Sequence, residues 1–230
     1  MLQRIITALF AVVLFTALPA RAAFDDELLA LQQRWAAARY QASGDEQKNQ
    51  LKKLADDADN FTKKYADKAD GYLWAAVVRG SLAEAINGMS ALGIVKEAKE
   101  KLEKSIAIDP KAEDGYAYGV LGLMYSKVPG WPVAFGDNKK AKEMLQKGLE
   151  VSPNGMNTNY FYADYLFNEG EYKKAQPYAE KAAQATPPTP ADGTGSPGAC
   201  GWPGPRACAR PTSTSPPPRP RSATRCRTTP

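Results

Sequence analysis

The chain has 230 residues and a formal net charge of +5, from 30 Lys and Arg against 25 Asp and Glu. It contains no His and three Cys, at positions 200, 208 and 226. These counts exclude imidazole metal ligands, His-dependent catalytic triads and thiol chemistry in the body of the chain.

The excess positive charge lies at the ends of the chain. Residues 186–230 hold six Arg and one acidic residue, whereas residues 23–185 hold 22 basic and 24 acidic residues. The body is therefore nearly neutral. Although the overall pI is near 9.0, we expect no nucleic-acid partner.

Residues 1–22 have the composition of a signal peptide. Arg4 precedes an apolar run over 5–18, and Ala20–Arg21–Ala22 is a small-x-small cleavage pattern. The run is about 14 residues long, which is below the roughly 20 that a membrane-spanning helix needs. We expect cleavage before Ala23 and a periplasmic protein; an uncleaved anchor is the alternative.

Residues 23–185 form a helical repeat domain by their pattern. Asp70–Gly71–Tyr72 recurs 44 residues later as Asp114–Gly115–Tyr116. The set Ala98, Leu102 and Pro110 recurs at positions 141, 145 and 153. Self-similarity at a period of 20–50 residues is typical of stacked helical hairpins, each of which buries its apolar side against its neighbours.

The segment from Tyr162 to Pro187 resembles a tetratricopeptide repeat (TPR). Small residues stand where its two helices would cross, Gly170 permits the turn, and Pro187 ends the second helix. With a helix pair upstream at 24–68, the resemblance implies an all-α, TPR-like solenoid of about four hairpins. Two units exceed the usual repeat length, so we expect loop insertions in the segments 87–93 and 126–139.

Residues 186–230 differ abruptly from the body. They hold twelve of the 18 Pro and contain no Leu, Ile, Val, Met, Phe or Tyr. Such a segment cannot bury enough apolar surface to offset its ordering entropy, so we expect it to be disordered. A basic partner-binding arm is one interpretation, and an out-of-frame translation of GC-rich codons is the interpretation that we prefer.

Catalysis has little support in the sequence. There is no glycine-rich phosphate loop, and Asp56, Asp57 and Asp59 are expected to be solvated on a helix surface. We therefore expect neither an enzyme nor a cofactor or metal site.

Binding is better supported, because the first helix of each TPR hairpin lines a concave face. The positions at helical spacing on those helices are Trp74, Tyr116, Leu123, Ser126, Asn157, Tyr160, Asp164 and Phe167. One interpretation is an amphipathic cleft for an apolar ligand or a partner segment. The other is that about half of these side chains pack between the helices.

The segment 126–137 is the most individual part of the chain. It contains two Pro and two Gly, and Asp137 can cap the following helix through its carboxylate. Trp131 and Phe135 either fold back on the array or form a lid or interface knob.

Two motifs resemble the T-component of TRAP transporters: Pro129–Gly130–Trp131–Pro132 through Ala141, and Asn159 through Asp164. The resemblance covers roughly 24–187. It implies a periplasmic accessory protein that forms trimers, binds the solute-binding protein of a transporter, and holds a hydrophobic or organic-acid ligand. A general TPR interaction module in envelope assembly is the alternative.

Overall fold

The computed structural model describes the backbone of residues 2–185 and the side chains of residues 21–185. Its eight α-helices are α1 Leu2–Tyr40, α2 Gly44–Lys64, α3 Ala69–Ile86, α4 Ala91–Ile108, α5 Tyr116–Lys127, α6 Asn138–Val151, α7 Met156–Asn168 and α8 Tyr172–Gln184. A short 3-10 helix, Ala112–Gly115, precedes α5. The predicted all-α, TPR-like solenoid of four hairpins is therefore confirmed. The tail for which disorder was predicted lies outside the described residues.

The helices pair in chain order into four antiparallel hairpins, α1/α2, α3/α4, α5/α6 and α7/α8. Because successive helices alternate in direction, the turns within the hairpins all lie on one edge of the stack. We call this edge, with turns 41–43, 87–90, 128–137 and 169–171, the tip edge. The connections between hairpins, residues 65–68, 109–115 and 152–155, form the opposite linker edge.

The expected signal peptide occupies the first half of α1. The α1 backbone is helical from Leu2 to Tyr40, across the expected cleavage point before Ala23. Within the described part of the chain, no helix is long and apolar enough to cross a membrane. Cleavage and export stay predictions.

Only one of the two predicted insertions is a long loop. Residues 128–137 do form a loop between α5 and α6, but the turn between α3 and α4 is only Asn87–Ser90. In that hairpin the extra residues lengthen the helices instead, to 18 residues each against 13 for each helix of the last hairpin. A longer helix satisfies its own backbone hydrogen bonds, which an added loop would leave to solvent.

The core runs along the centre of the stack, where apolar residues at helical spacing face the neighbouring helices. On α2, Leu51, Leu54 and Ala58 are fully buried, because positions i, i+3 and i+7 share one face of the helix. Between hairpins, α5 and α7 come close at Gly119. A Cβ built there would lie 2.1 Å from Cδ2 of the buried Phe161.

We expect Gly119→Ala to lower the free energy of unfolding by about 2 kcal/mol, since the Phe161 ring has no room to move. The better helix propensity of Ala, worth about 1 kcal/mol, offsets this cost only in part. Gly93→Ala is the matched control: no atom lies within 4 Å of its added Cβ, so this change should stabilise the protein. Urea denaturation measures both. If both substitutions changed the free energy of unfolding in the same direction, the close approach of α5 and α7 at Gly119 would be contradicted.

Arg79 joins α2, α3 and α4 through ion pairs. Its guanidinium is buried; Nη2 donates to Asp59 Oδ2, and Nε donates to Glu97 Oε2 at 3.0 Å. Lys101 Nζ lies 2.6 Å from Asp59 Oδ1. The expectation that Asp59 is solvated was therefore wrong. Burial alone would raise the pKa of the Asp59 carboxyl, but the hydrogen bonds from Lys101 and Arg79 outweigh it and lower the pKa.

The linker edge carries an uncompensated carboxylate at Asp70, the second residue of α3. Its Oδ1 is buried and has no hydrogen-bond partner. Burial, followed by repulsion from Asp109 and Asp25, raises the pKa of the Asp70 carboxyl. Charged Asp70 is therefore destabilising at neutral pH.

We expect Asp70→Asn to stabilise the protein at pH 7 by about 1 kcal/mol. A raised folded-state pKa means that the native state takes up the proton first. The penalty therefore disappears as the pH falls through that pKa, and the advantage of the variant should shrink at acid pH. The exposed Asp67→Asn is the control. A destabilised Asp70→Asn protein in thermal denaturation would refute the assignment.

Candidate functional site

Three of the predicted binding residues lie in the core. Trp74, Tyr116 and Leu123 are all buried. The Trp74 ring packs edge-on against Trp35 with 5.5 Å between centroids, and its Nε1 donates to Glu113 Oε1 at 3.1 Å. The structure thus places these three between the helices, as the core interpretation expects; contact with a partner stays a prediction for them.

The first-helix face of the second hairpin is covered by α1. Trp35 Nε1 donates to Ser81 Oγ at 2.8 Å, and both side chains are buried. A concave surface at α3 is therefore closed to a ligand. Ser126, at the end of α5, is half-buried, and its hydroxyl donates to the Leu123 carbonyl of the same helix at 2.9 Å.

The other predicted residues remain accessible on α7. Asn157, Tyr160 and Asp164 are half-buried and Phe167 is exposed, and their spacing puts them along one face of the helix. Asp164 Oδ2 lies 3.1 Å from Lys127 Nζ, which ties this face to the end of α5. Burial, and then the Asp164 charge, raises the pKa of the Tyr160 hydroxyl.

The loop 128–137 is held in one conformation by backbone hydrogen bonds. Gly136 N donates to Pro129 O at 2.9 Å, and Asp137 N donates to Tyr125 O at 2.9 Å. A Cβ on Gly136 would lie 1.9 Å from Val128 O, so this crossing requires glycine. The predicted cap is confirmed, since Asp137 Oδ1 accepts from the backbone N–H groups at positions 139 and 140.

The two aromatic residues of the loop have different positions. Phe135 packs edge-on against Tyr125 with 5.7 Å between centroids, and Lys99 Nζ lies 5.8 Å above its ring. Trp131, in contrast, is 89% exposed. Each of the two interpretations of the loop therefore describes one residue: Phe135 folds back, and Trp131 projects.

The tip of the last hairpin adjoins this loop. Asn138 Nδ2 donates to Glu169 Oε1 at 3.2 Å, which joins the start of α6 to the turn between α7 and α8. At that turn Phe167 and Tyr172 are exposed and contact each other, with 5.1 Å between ring centroids. We call the exposed set on these two tips the aromatic patch; it comprises Trp131, Val133, Phe167 and Tyr172.

The sequence analysis named Trp131 as a lid or interface knob and Phe167 as a concave-face residue, and it named neither Val133 nor Tyr172 as a binding residue. Tyr172 directly follows the turn that Gly170 makes with a φ of +77°. An aromatic residue immediately after a hairpin turn was the available signal. The sequence contains no comparable signal for Val133, because the exposure of its side chain depends on how the loop closes.

A groove of about 360 Å³ lies between α4 and α6. Tyr118, Leu121 and Tyr125 of α5 form its floor, and lysine and glutamate side chains form its rim. The sequence analysis did not predict that Tyr118 and Tyr125 line a groove. The surroundings suit a small apolar ligand with one charged end.

Comparisons with known proteins provide no information on function beyond the helical architecture described above. No protein-family model matches the chain, and no curated protein matches it. One similar solved structure is the crystal structure of MamA, which is 18% identical and matches over 59% of this chain and 88% of that chain, with a TM-score of 0.30. A likeness of that size supports no functional inference. The four stacked hairpins define the class, which is a TPR-like helical solenoid.

Proposed function

We propose that the protein is a binding scaffold whose ligand is another protein. The observation that carries this proposal is the display of Trp131 on a hydrogen-bonded loop. Tryptophan is enriched among the residues that dominate protein interfaces, and the Trp131 side chain is 89% exposed. A loop already fixed in its conformation also loses little entropy on binding.

The specific biological role that we propose is in solute transport. We propose that the protein is a periplasmic accessory component of a TRAP-type system and binds the solute-binding protein of that system. The support is the resemblance of the loop around Trp131 and of the α7 segment to T-components. Homotrimer formation belongs to the same proposal.

The groove between α4 and α6 is the proposed place for a small hydrophobic or organic-acid ligand. Its floor is aromatic and aliphatic, and Lys140 and Lys147 stand on its rim. Apolar contact would hold the body of such a ligand, and a lysine would pair with its carboxylate.

The test is native mass spectrometry of the purified protein, alone and mixed with the solute-binding protein of a neighbouring TRAP gene cluster. We expect a complex that Trp131→Ala weakens, and a co-purified small molecule that Lys140→Glu, a change at the exposed rim of the groove, removes. A protein that binds no solute-binding protein and carries no ligand would favour the alternative role, an interaction module in envelope assembly.

A further inference from the structure

Large exposed apolar side chains are confined to one edge of the array. Among the residues whose side chains are described, those at least half exposed are Tyr40 (53%), Met89 (74%), Trp131 (89%), Val133 (51%), Phe167 (60%) and Tyr172 (61%). Every one of them lies in a tip-edge turn or within two residues of one. All four hairpins contribute.

The linker edge has the opposite character. Its connecting segments expose charged side chains, which include Asp67, Asp109, Lys111 and Asp114, and no large apolar residue. The tip-edge turns 41–43, 87–90 and 169–171 are no longer than the linker-edge connections, so turn length alone does not explain the difference. The sequence places apolar residues specifically at the hairpin tips.

We propose that the tip edge, and not the concave face of the array, is where a partner protein docks. The inference rests on the proposed function, that the protein is a protein-binding scaffold. The concave face is closed at α3 by the packing of α1, whereas the tip edge is open at all four hairpins.

The exposed area indicates a transient partner and not an obligate second copy. A fully exposed aromatic side chain offers 150–250 Å², so Trp131, Phe167 and Tyr172 together offer on the order of 400 Å². A standard interface takes about 800 Å² from each protein, and obligate homodimers take more. Even with the smaller contributions of Tyr40, Met89 and Val133, the exposed apolar surface of the tip edge fits a standard interface and is too small for a permanent one.

The charge of the tip edge favours a protein over an anionic membrane. Residues 38–48, 84–92, 126–140 and 164–174, which surround the four turns, hold seven basic and seven acidic residues. Recruitment to anionic lipid requires a cluster of uncompensated Lys and Arg. We infer a partner whose contact surface is apolar at its centre and nearly neutral at its rim.

The experiment is site-specific photo-crosslinking of the full chain in the cells that produce it. A photoreactive phenylalanine replaces Met89, Trp131 or Tyr172 on the tip edge, Asn157 or Tyr160 on α7, and Lys111 or Asn154 on the linker edge. Mass spectrometry identifies each adduct, and the identified protein is purified and titrated against the unmodified chain. We expect the same protein at two or more tip positions and at neither linker position, with an affinity that Trp131→Ala lowers roughly 30-fold and Asn154→Ala leaves unchanged.

Each other outcome is decisive. Adducts from Asn157 and Tyr160 alone would move the site to the α7 face, which overturns the tip edge but keeps the scaffold function. Adducts of the chain with itself would make a second copy the occupant, and lipid adducts would make it a membrane; either overturns the inference. No adduct at any position would overturn the scaffold function as well.

Discussion

Asp59→Ala should lower the free energy of unfolding by about 3 kcal/mol, because it leaves the buried guanidinium of Arg79 without its inner partner. Glu97→Ala is the matched control. Glu97 pairs with the same guanidinium, but its side chain is largely exposed, so its loss should cost under about 1 kcal/mol. Urea denaturation measures both values. Equal losses of unfolding free energy in the two variants would show that the Arg79–Asp59 ion pair does not stabilise the packing of α2, α3 and α4.

The same pair predicts a pH dependence. The folded-state pKa of Asp59 lies below its ordinary value. Its contribution is therefore present above the unfolded-state pKa of about 3.9 and is lost as the pH falls through the folded-state value. The gap between the unmodified protein and Asp59→Ala should stay constant from pH 5 to 8 and close in stronger acid.

Trp131→Ala should weaken partner binding by roughly 30-fold and leave the melting temperature unchanged, because the indole contacts little of its own chain. Phe135→Ala, four residues away on the same loop, should behave differently. Its ring anchors the loop on Tyr125, so its removal should cost about 2 kcal/mol of stability and weaken binding indirectly. A matched pair of melting curves and titrations distinguishes a contact residue from an anchor. Equal stability losses would contradict the assignment.

The sequence was sufficient to predict the helices and their pairing. The recurrence of Ala98 and Leu102 at Ala141 and Leu145 reflects one requirement, that each second helix bury a small residue and a leucine against its hairpin. All four side chains are buried. Local rules also predicted the Asp137 cap, since a carboxylate before a helix finds its partners within three residues.

The binding face was harder to predict, because burial depends on neighbours that are distant in the chain. Trp74 was assigned to the concave face from its spacing, but α1 packs over that part of α3 and buries it. Trp131 and Phe135 look equivalent in the sequence. In the folded loop, Phe135 packs on Tyr125 and Trp131 is exposed to solvent, a difference that depends on how the whole loop closes.

The most direct test of the account is a calorimetric titration of the purified protein with the solute-binding protein of the TRAP-type system that we propose it serves. We predict saturable binding that is weakened roughly 30-fold by Trp131→Ala and unaffected by Asn154→Ala on the linker edge. Binding that is equally strong in all three proteins would contradict docking at the hairpin tips. The absence of any binding would contradict the assignment of this partner.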